Sequence, residues 1–184
     1  MLKINEIFYS LQGEGVFAGT PAIFIRLSGC NRACAFCDTD FAGFTEMSVA
    51  EIMAEVEKYP AKHVVFTGGE PTLQRYDRMC ELLKSRGYFI QIETNGSNAV
   101  SSLVDWVTCS PKTPPYGIDR IDELKIVYTG QDVEDIASLF EGKGIKVKEL
   151  QPCSGKNIAE TIDYILHHPW WRLSLQTHKM LDLR

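Results

Sequence analysis

Three cysteines that lie close together in the chain are the residues best suited to chemistry. Cys30, Cys34 and Cys37 form a C-x3-C-x2-C run, whereas the other three cysteines are scattered. In a reducing compartment, clustered cysteines indicate metal binding or catalysis rather than disulfides. Three thiolates on one loop can ligate three irons of a cubane iron–sulfur cluster and leave the fourth iron open to a small molecule. The spacing therefore predicts a cluster of this kind.

A structural zinc site is the main alternative for this loop. Such a site needs four closed ligands, usually supplied as two separated pairs. The remaining candidate ligands are remote in sequence, namely His63, Cys80, Cys109, Cys153 and the C-terminal histidines. The spacing alone leaves open a zinc site with one remote ligand. A disulfide-bonded extracellular protein is disfavoured, because the N-terminus lacks an apolar signal segment.

The size and charge of the chain restrict its class further. It has 184 residues, of which 45% are hydrophobic, and a net charge of −5. That is enough for one sizeable core, so we predict a single domain over residues 1–184. The mild negative charge does not favour binding to nucleic acid, and no apolar run is long enough to cross a membrane. We therefore expect a cytoplasmic protein without nucleic-acid or membrane partners.

Apolar strands alternate with helical segments along the chain. Strands are predicted at 22–27, 63–66, 88–93, 106–108, 123–128, 146–150 and 172–176, and helices at 48–58, 72–86, from 131, and at 158–167. This alternation predicts a parallel sheet built from βαβ units. Since a closed eight-unit barrel needs about 250 residues, we expect an α/β fold that is an incomplete, open (β/α) barrel of about six parallel strands. The Pro-rich connection 109–122 predicts one crossover reduced to a loop.

Polar motifs follow several of the predicted strands. They are Gly68-Gly-Glu-Pro71, Thr94-Asn-Gly96, Ser110-Pro-Lys112 and Gln151-Pro152. In parallel α/β folds the carboxyl ends of the strands form the face that binds ligands. The sequence therefore predicts a ligand site at this edge of the sheet. Taken alone, the Gly-Gly-Glu-Pro segment is equally consistent with a simple turn.

The cysteine run, with Phe36 before its last cysteine, and the Gly-Gly-Glu-Pro motif together resemble the radical S-adenosylmethionine (SAM) superfamily. The resemblance implies a [4Fe-4S] cluster on Cys30, Cys34 and Cys37, whose open iron is chelated by the methionyl amine and carboxylate of SAM. It also implies that the second motif, through Gly68, Gly69 and Glu70, binds the methionyl amino group. Backbone carbonyls and a carboxylate are suitable acceptors for an ammonium group.

A finer resemblance, to the 7-carboxy-7-deazaguanine synthases, runs nearly end to end. It rests on Arg26 and on the segments 7–15, 37–39, 93–96, 110–112, 151–152 and 176–179. It implies a carbon–nitrogen lyase of queuosine and 7-deazapurine biosynthesis, which contracts the ring of 6-carboxy-5,6,7,8-tetrahydropterin to 7-carboxy-7-deazaguanine with release of ammonia. SAM is then a cofactor that carries the radical, Mg²⁺ assists the rearrangement, and no side chain is assigned a catalytic role.

The same resemblance implies roles for individual residues. The substrate would be bound by Leu11, Gln12, Gly13, Glu14, Arg26, Thr94, His178 and the terminal carboxylate of Arg184. SAM would be bound by Phe36, Cys37, Asp38, Gly96, Ser110, Pro111, Lys112, Gln151, Pro152, Cys153 and Ser154, in addition to the glycine motif. Thr39 would be the protein ligand of Mg²⁺, with substrate oxygens completing the octahedron.

Two of these assignments have structural alternatives, and one further residue has two possible orientations. The segment 11–15 has the composition of a surface turn. Arg26 follows the alternation of its strand and could simply face solvent. Lys125, which has no assigned role, either points into the barrel or extends its ammonium group to the surface.

The resemblance also bears on partners and on rival functions. It implies a flavodoxin-type electron donor, and an open barrel leaves sheet edges that a homodimer would cover. A radical SAM activase that makes a glycyl radical on a partner protein shares the cysteine spacing and the short length. The segment 11–15, Arg26 and Thr39 favour a small-molecule substrate over a protein. A non-enzymatic zinc module is the third hypothesis.

Overall fold

The computed structural model describes residues 1–37, 39 and 43–183, and its centre is a sheet of nine strands. The strands are β1 (Leu2–Leu11), β2 (Pro21–Leu27), β3 (Thr45–Met47), β4 (His63–Gly68), β5 (Phe89–Thr94), β6 (Trp106–Cys109), β7 (Glu123–Tyr128), β8 (Val147–Pro152) and β9 (Arg172–Leu173). The helices are α1 (Val49–Val56), α2 (Asp77–Ser85), α3 (Val133–Ser138), α4 (Ile158–His167) and α5 (Thr177–Met180).

The strand order confirms the predicted open barrel. The order is β3-β1-β2-β4-β5-β6-β7-β8-β9, and all pairs from β2 to β9 are parallel. Six of these strands have four or more residues, in agreement with the expected number. β1 and β3, which the sequence did not predict, add an antiparallel edge next to β2. Because β3 and β9 lie at opposite ends of this order, the sheet is not closed.

The two faces of the parallel strands differ in chemistry. Successive side chains of a strand point to opposite faces. One face carries Ile25, Phe66 and Ile92, which are fully buried in the main hydrophobic core together with the helix residues Ile52 and Leu83. The opposite face carries polar residues that are also buried, among them Gln91, Thr108, Glu123 and Lys125. The barrel interior is therefore polar, and most of the apolar packing lies between sheet and helices.

Two predicted elements are wrong in their extent. The helix predicted over 72–86 is a short 3-10 turn at Pro71–Leu73 followed by α2 from Asp77. Gln74 interrupts it in an extended conformation, because its side chain bonds both backbone groups of Lys3 and the carbonyl of Ser28. The strand predicted over 172–176 is only β9, and residues 177–180 form α5.

Other elements form as their sequence indicates. The Ser48–Glu51 capping box opens α1, with both reciprocal bonds present. The connection 110–122 between β6 and β7, which is described throughout, contains no helix, as the Pro-rich sequence predicts. Across the described ranges, no helix is both long and apolar enough to span a lipid bilayer.

Candidate active site

A cavity of about 520 Å³ opens at the carboxyl ends of the parallel strands. Its lining comes from inward-facing residues of β1, β2, β5 and β7, from the loops after β2, β4, β5, β6 and β8, from the loop between β1 and β2, and from the segment that includes α5. This is the edge of the sheet at which the polar motifs predict a ligand site. A volume of this size is ordinary for a small-molecule or cofactor site.

Most of the predicted site residues line this one cavity. The predicted substrate residues among them are Leu11, Gln12, Gly13, Glu14, Arg26, Thr94 and His178. The predicted SAM and metal residues among them are Cys30, Cys34, Phe36, Cys37, Thr39, Gly68, Gly69, Ser110, Lys112, Gln151 and Ser154. Glu70, Gly96, Pro111, Pro152 and Cys153 are on the same loops, next to this lining. Asp38 and Arg184 lie outside the described residues.

The three clustered cysteines follow β2 and face the cavity as thiols. The backbone N–H of Arg32 donates to Cys30 Sγ at 3.4 Å, and that of Cys37 donates to the Cys34 carbonyl at 3.0 Å. The pKa of the Cys30 thiol is raised, mainly because the thiol is partly buried. The hydrogen bond from the Arg32 N–H lowers this pKa, and the negative charge of Glu70 raises it further. Within the described ranges, no three His, Cys, Asp or Glu side chains already converge on a metal position.

Asn31 and Arg32, in the first half of the cysteine loop, are hydrogen-bonded to neighbouring loops. Asn95 Nδ2 donates to Asn31 Oδ1 at 3.0 Å. The guanidinium of Arg32 donates to Ser97 Oγ at 3.4 Å and to the Pro115 carbonyl at 3.2 Å. Cys30 is therefore held in place by the loops after β5 and β6, whereas Cys37 is exposed.

The two glycines of the Gly-Gly-Glu-Pro motif allow a close approach of two backbones. A Cβ on Gly68 would overlap the carbonyl oxygen of Leu27, and one on Gly69 would overlap that of Gly29. Gly68 also has a φ of 124°, which L side chains rarely adopt. The backbone N–H of Gly69 donates to the Leu27 carbonyl at 3.1 Å. The motif thus packs directly on the segment that leads to Cys30.

Glu70 ties this motif to the next strand end. Its side chain is fully buried. Glu70 Oε1 accepts from Thr72 Oγ1 at 2.6 Å and from Thr94 Oγ1 at 2.8 Å, while Oε2 accepts from the Asn95 N–H at 2.7 Å. These bonds make Glu70 a positioning residue for the loops after β4 and β5. Its predicted contact with the amino group of SAM stays a prediction.

A buried ion network forms the floor of the cavity. Lys125 on β7 is 2% exposed and donates to Glu14 Oε2 at 2.7 Å and to Glu93 Oε2 at 3.0 Å. Lys125 therefore points into the barrel and does not extend to the surface. Gln176 donates to Glu14 Oε1 at 2.7 Å, and Gln91 donates to Glu93 Oε1 at 2.9 Å.

The two carboxyl groups of this network titrate in opposite directions. Burial alone would raise the pKa of Glu14, but the charge and hydrogen bond of Lys125 lower it to about 2. Burial raises the pKa of Glu93 to about 7, because Lys125 offsets only part of it and the charges of Glu123 and Glu14 add to it. Burial would lower the pKa of Lys125, but the neighbouring carboxylates raise it above its usual range. Near neutral pH, Glu14 is therefore a fixed anion, while Glu93 lies close to its titration point.

Arg26 lies on the inner face of β2 and lines the cavity. Its Nε donates to Glu6 Oε1 at 2.7 Å, and its guanidinium lies 5.6 Å from the ring centre of Phe8. The interpretation of Arg26 as a solvent-facing strand residue is therefore wrong.

The loop between β1 and β2 is fastened to the C-terminal segment. Thr177 donates to the Gly13 carbonyl through its backbone N–H at 2.8 Å and through Oγ1 at 2.9 Å. A Cβ on Gly13 would overlap the ring of His178. The segment 11–15 is therefore part of the cavity wall, held in place by α5, and its interpretation as a free surface turn is wrong.

Several lining residues were not assigned a role from the sequence. Arg32, Thr67, Glu93, Lys125 and Gln176 belong to this group. A usable signal existed for some of them, since Thr67 directly precedes Gly68 and Glu93 directly precedes Thr94. Thr67 and Glu93 also follow the apolar residues Phe66 and Ile92, so strand alternation places both on the face opposite to the hydrophobic core.

Comparison with known proteins agrees with this geometry. The family model for the radical SAM superfamily matches residues 24–150. The 7-carboxy-7-deazaguanine synthase of Bacteroides thetaiotaomicron is 54% identical over 100% of both chains, and that of Neisseria meningitidis serogroup B is 39% identical over 96% of this chain and 92% of its own. The crystal structure of QueE from Escherichia coli superposes with a TM-score of 0.83 at 35% identity and covers 96% of this chain and 94% of that one.

The open parallel barrel, with a C-x3-C-x2-C loop after its first parallel strand, defines a radical SAM protein, and the match over residues 24–150 places the chain in that superfamily. Within the superfamily, the chain belongs to the 7-carboxy-7-deazaguanine synthase family, because its similarity to the synthases of that name is high and extends from end to end.

Proposed function

We propose that the protein is a 7-carboxy-7-deazaguanine synthase, a carbon–nitrogen lyase that contracts the ring of 6-carboxy-5,6,7,8-tetrahydropterin with loss of ammonia. The observation that carries the proposal is the single cavity on which the cysteine loop, the Gly-Gly-Glu-Pro glycines and the Glu14–Lys125–Glu93 network meet. The end-to-end similarity to synthases of this name supports the same function.

The residues present fit a [4Fe-4S] cluster and SAM. Cys30, Cys34 and Cys37 supply three thiolates from one loop on the cavity wall, which is the donor set of a cluster with one open iron. Gly68 and Gly69 line the cavity beside this loop, where their backbone groups are available to SAM, and Phe36, Ser110, Lys112 and Gln151 line the adjoining space. When bound, this pair supplies the one-electron chemistry that abstracts hydrogen from the substrate.

The remaining wall fits a carboxylated pterin. Glu14, ionised at neutral pH, accepts hydrogen bonds from the amino and ring N–H donors of a pterin, and Gln12 can both donate and accept. The planar guanidinium of Arg26 matches the two oxygens of the substrate carboxylate. His178 covers the segment 11–15 and helps to exclude water, with Thr94 as a further substrate contact.

Mg²⁺ is the third proposed cofactor. Thr39 lines the cavity, and Cys37 Sγ lies 3.8 Å from the Thr39 carbonyl oxygen. A single hydroxyl binds Mg²⁺ only weakly, so substrate oxygens and water have to complete the six positions. We therefore propose that Mg²⁺ binds together with the substrate.

Anaerobic turnover of 6-carboxy-5,6,7,8-tetrahydropterin with SAM, Mg²⁺ and a chemical reductant tests the proposal. The expected result is formation of 7-carboxy-7-deazaguanine and ammonia with SAM unconsumed. The Cys34→Ala variant is the negative control, because it cannot hold the cluster, whereas Cys80→Ala, a core change on α2, retains it. One SAM consumed per event, with no pterin product, would instead support the glycyl-radical activase.

We propose a homodimer with a flavodoxin-type donor for the assembly. Ile162 and Leu166 on α4 and Trp170 beside it are exposed apolar side chains near the edge strand β9. A second copy would cover both this surface and the edge. A Leu166→Glu variant is expected to be monomeric in light scattering, and exchange of the chemical reductant for reduced flavodoxin tests the donor.

We also propose a cytoplasmic location. The six free cysteines fit a reducing, cytoplasmic compartment.

A further inference from the structure

Arg32, between the first two cysteines, carries a buried donor that none of the described residues satisfies. In the part of the chain that the structure describes, Arg32 Nε has no hydrogen-bond partner although it is shielded from water. Buried polar groups are nearly always paired, so such a donor calls for a partner that the polypeptide does not supply. Arg32 lines the cavity beside Cys30 and Cys34.

Other donors of Arg32 are bound to neighbouring groups. Its Nη2 donates to Ser97 Oγ at 3.4 Å and to the Pro115 carbonyl at 3.2 Å. Its backbone N–H donates to Cys30 Sγ at 3.4 Å. The guanidinium is thus clamped between the loops after β5 and β6, and the main chain of the same residue already donates to one thiol.

We infer that Arg32 is a positioning and tuning residue for the cluster, whose Nε–H donates to a sulfur atom of the bound iron–sulfur group. The inference rests on the proposed cluster but not on the identity of the substrate. A guanidinium keeps its positive charge at all working pH values. A fixed positive charge and an N–H···S bond both stabilise the form of the cluster that holds one more electron. The cluster accepts one electron from the reductant, and no proton or bond of Arg32 changes.

The test is the midpoint potential of the reconstituted cluster, measured by EPR-monitored redox titration without SAM or substrate. Arg32→Gln removes the charge and is expected to shift the midpoint to a more negative value. Arg32→Lys keeps the charge but loses the planar donor, so an intermediate shift is expected. Iron and sulfide contents are measured first, so that only fully loaded samples are compared.

Two matched controls separate tuning from loop stability. Asn31→Ala removes the other anchor of the same loop half, the bond to Asn95, without a change of charge. Arg78→Gln removes an exposed arginine on α2. Both are expected to leave the midpoint of a loaded sample unchanged.

An unchanged midpoint in fully loaded Arg32→Gln would overturn the inference, as would a shift of equal size in Asn31→Ala. If Arg32→Gln takes up no cluster, the midpoint is measured on Arg32→Lys and on Ser97→Ala instead. Ser97→Ala removes the hydrogen bond between Ser97 Oγ and the guanidinium. Unchanged midpoints in both of these would also overturn it. A wild-type chain that holds no iron–sulfur cluster would instead refute the proposed function itself.

Discussion

Lys125 Nζ lies 2.7 Å from Glu14 Oε2 and 3.0 Å from Glu93 Oε2. One ammonium group on β7 therefore joins the β1–β2 loop to strand β5. The same cation leaves one carboxyl with a pKa of about 2 and the other with a pKa of about 7. Pairs of acids whose environments separate their pKa values in this way are typical of sites that handle protons. The network thus combines structural support with a group that titrates near neutral pH.

Removal of the Lys125 ammonium group should lower the free energy of unfolding. Lys125→Met would leave two buried carboxyl groups without their counter-charge, and we expect the free energy of unfolding to fall by about 3 kcal/mol. Lys84→Met is the matched control, because Lys84 pairs with Asp105 at the surface, where ion pairs contribute about 1 kcal/mol or less. Urea denaturation of the metal-free chain measures both. Equal losses in the two variants would contradict the assigned burial.

Glu93 should make stability depend on pH. Its folded-state pKa of about 7 lies above the ordinary value of 4.5, so the folded chain keeps a proton that the unfolded chain loses. The contribution of Glu93 is therefore complete below pH 4.5 and declines as pH rises toward 7, by about 1.4 kcal/mol per pH unit at most. We expect the unfolding free energy of the wild type, relative to Glu93→Gln, to fall over this interval. A difference between the two proteins that stays constant over this interval would disprove the shift.

Gly69 should not tolerate a side chain. In Gly69→Ala the new Cβ would overlap the Gly29 carbonyl, so the segment leading to Cys30 has to move. We expect a loss of about 2 kcal/mol in unfolding free energy and a lower iron content after reconstitution. Gly43→Ala, where a Cβ has nothing within 4 Å, is the control. The argument fails if Gly69→Ala matches that control in both measurements.

Thr39 should affect the response to Mg²⁺ without affecting the cluster. Because the proposed ligand is its hydroxyl, Thr39→Ala should require several-fold more Mg²⁺ for half-maximal turnover, and Thr39→Ser should restore the wild-type requirement. Iron content should be the same in all three proteins. A Thr39→Ala enzyme with the wild-type Mg²⁺ dependence would remove Thr39 from the metal site.

The residues at strand ends were predictable from the sequence for a physical reason. The motifs 68–71, 94–96, 110–112 and 151–152 each follow a short apolar strand, and parallel strands bring their carboxyl ends to one edge. Alternation and turn residues are local signals, so both the open barrel and the position of the cavity could be derived from them. The lining of the cavity by most of the predicted residues follows from the same rule.

What could not be predicted depends on contacts between distant residues. Lys125 on a half-apolar strand is compatible with either face, and its partners lie 111 and 32 residues away. The helix predicted from Thr72 fails at Gln74, whose side chain bonds backbone groups 71 and 46 residues away. β1 was missed because polar and apolar residues alternate irregularly along it, and its burial depends on β2 and β3.

The bonds from Thr177 to the Gly13 carbonyl have a wider consequence. The contact joins the β1–β2 loop to the start of α5, so this part of the cavity wall is closed by a loop and a helix and not by a ladder of strands. The bond from Gln176 to Glu14 and the bond from the Gly15 N–H to Ser174 Oγ join the same two segments, so the closure rests on several contacts outside the strand ladder. Substitutions in these two segments would therefore reshape the wall of the cavity while the hydrogen-bond register of the parallel strands is retained.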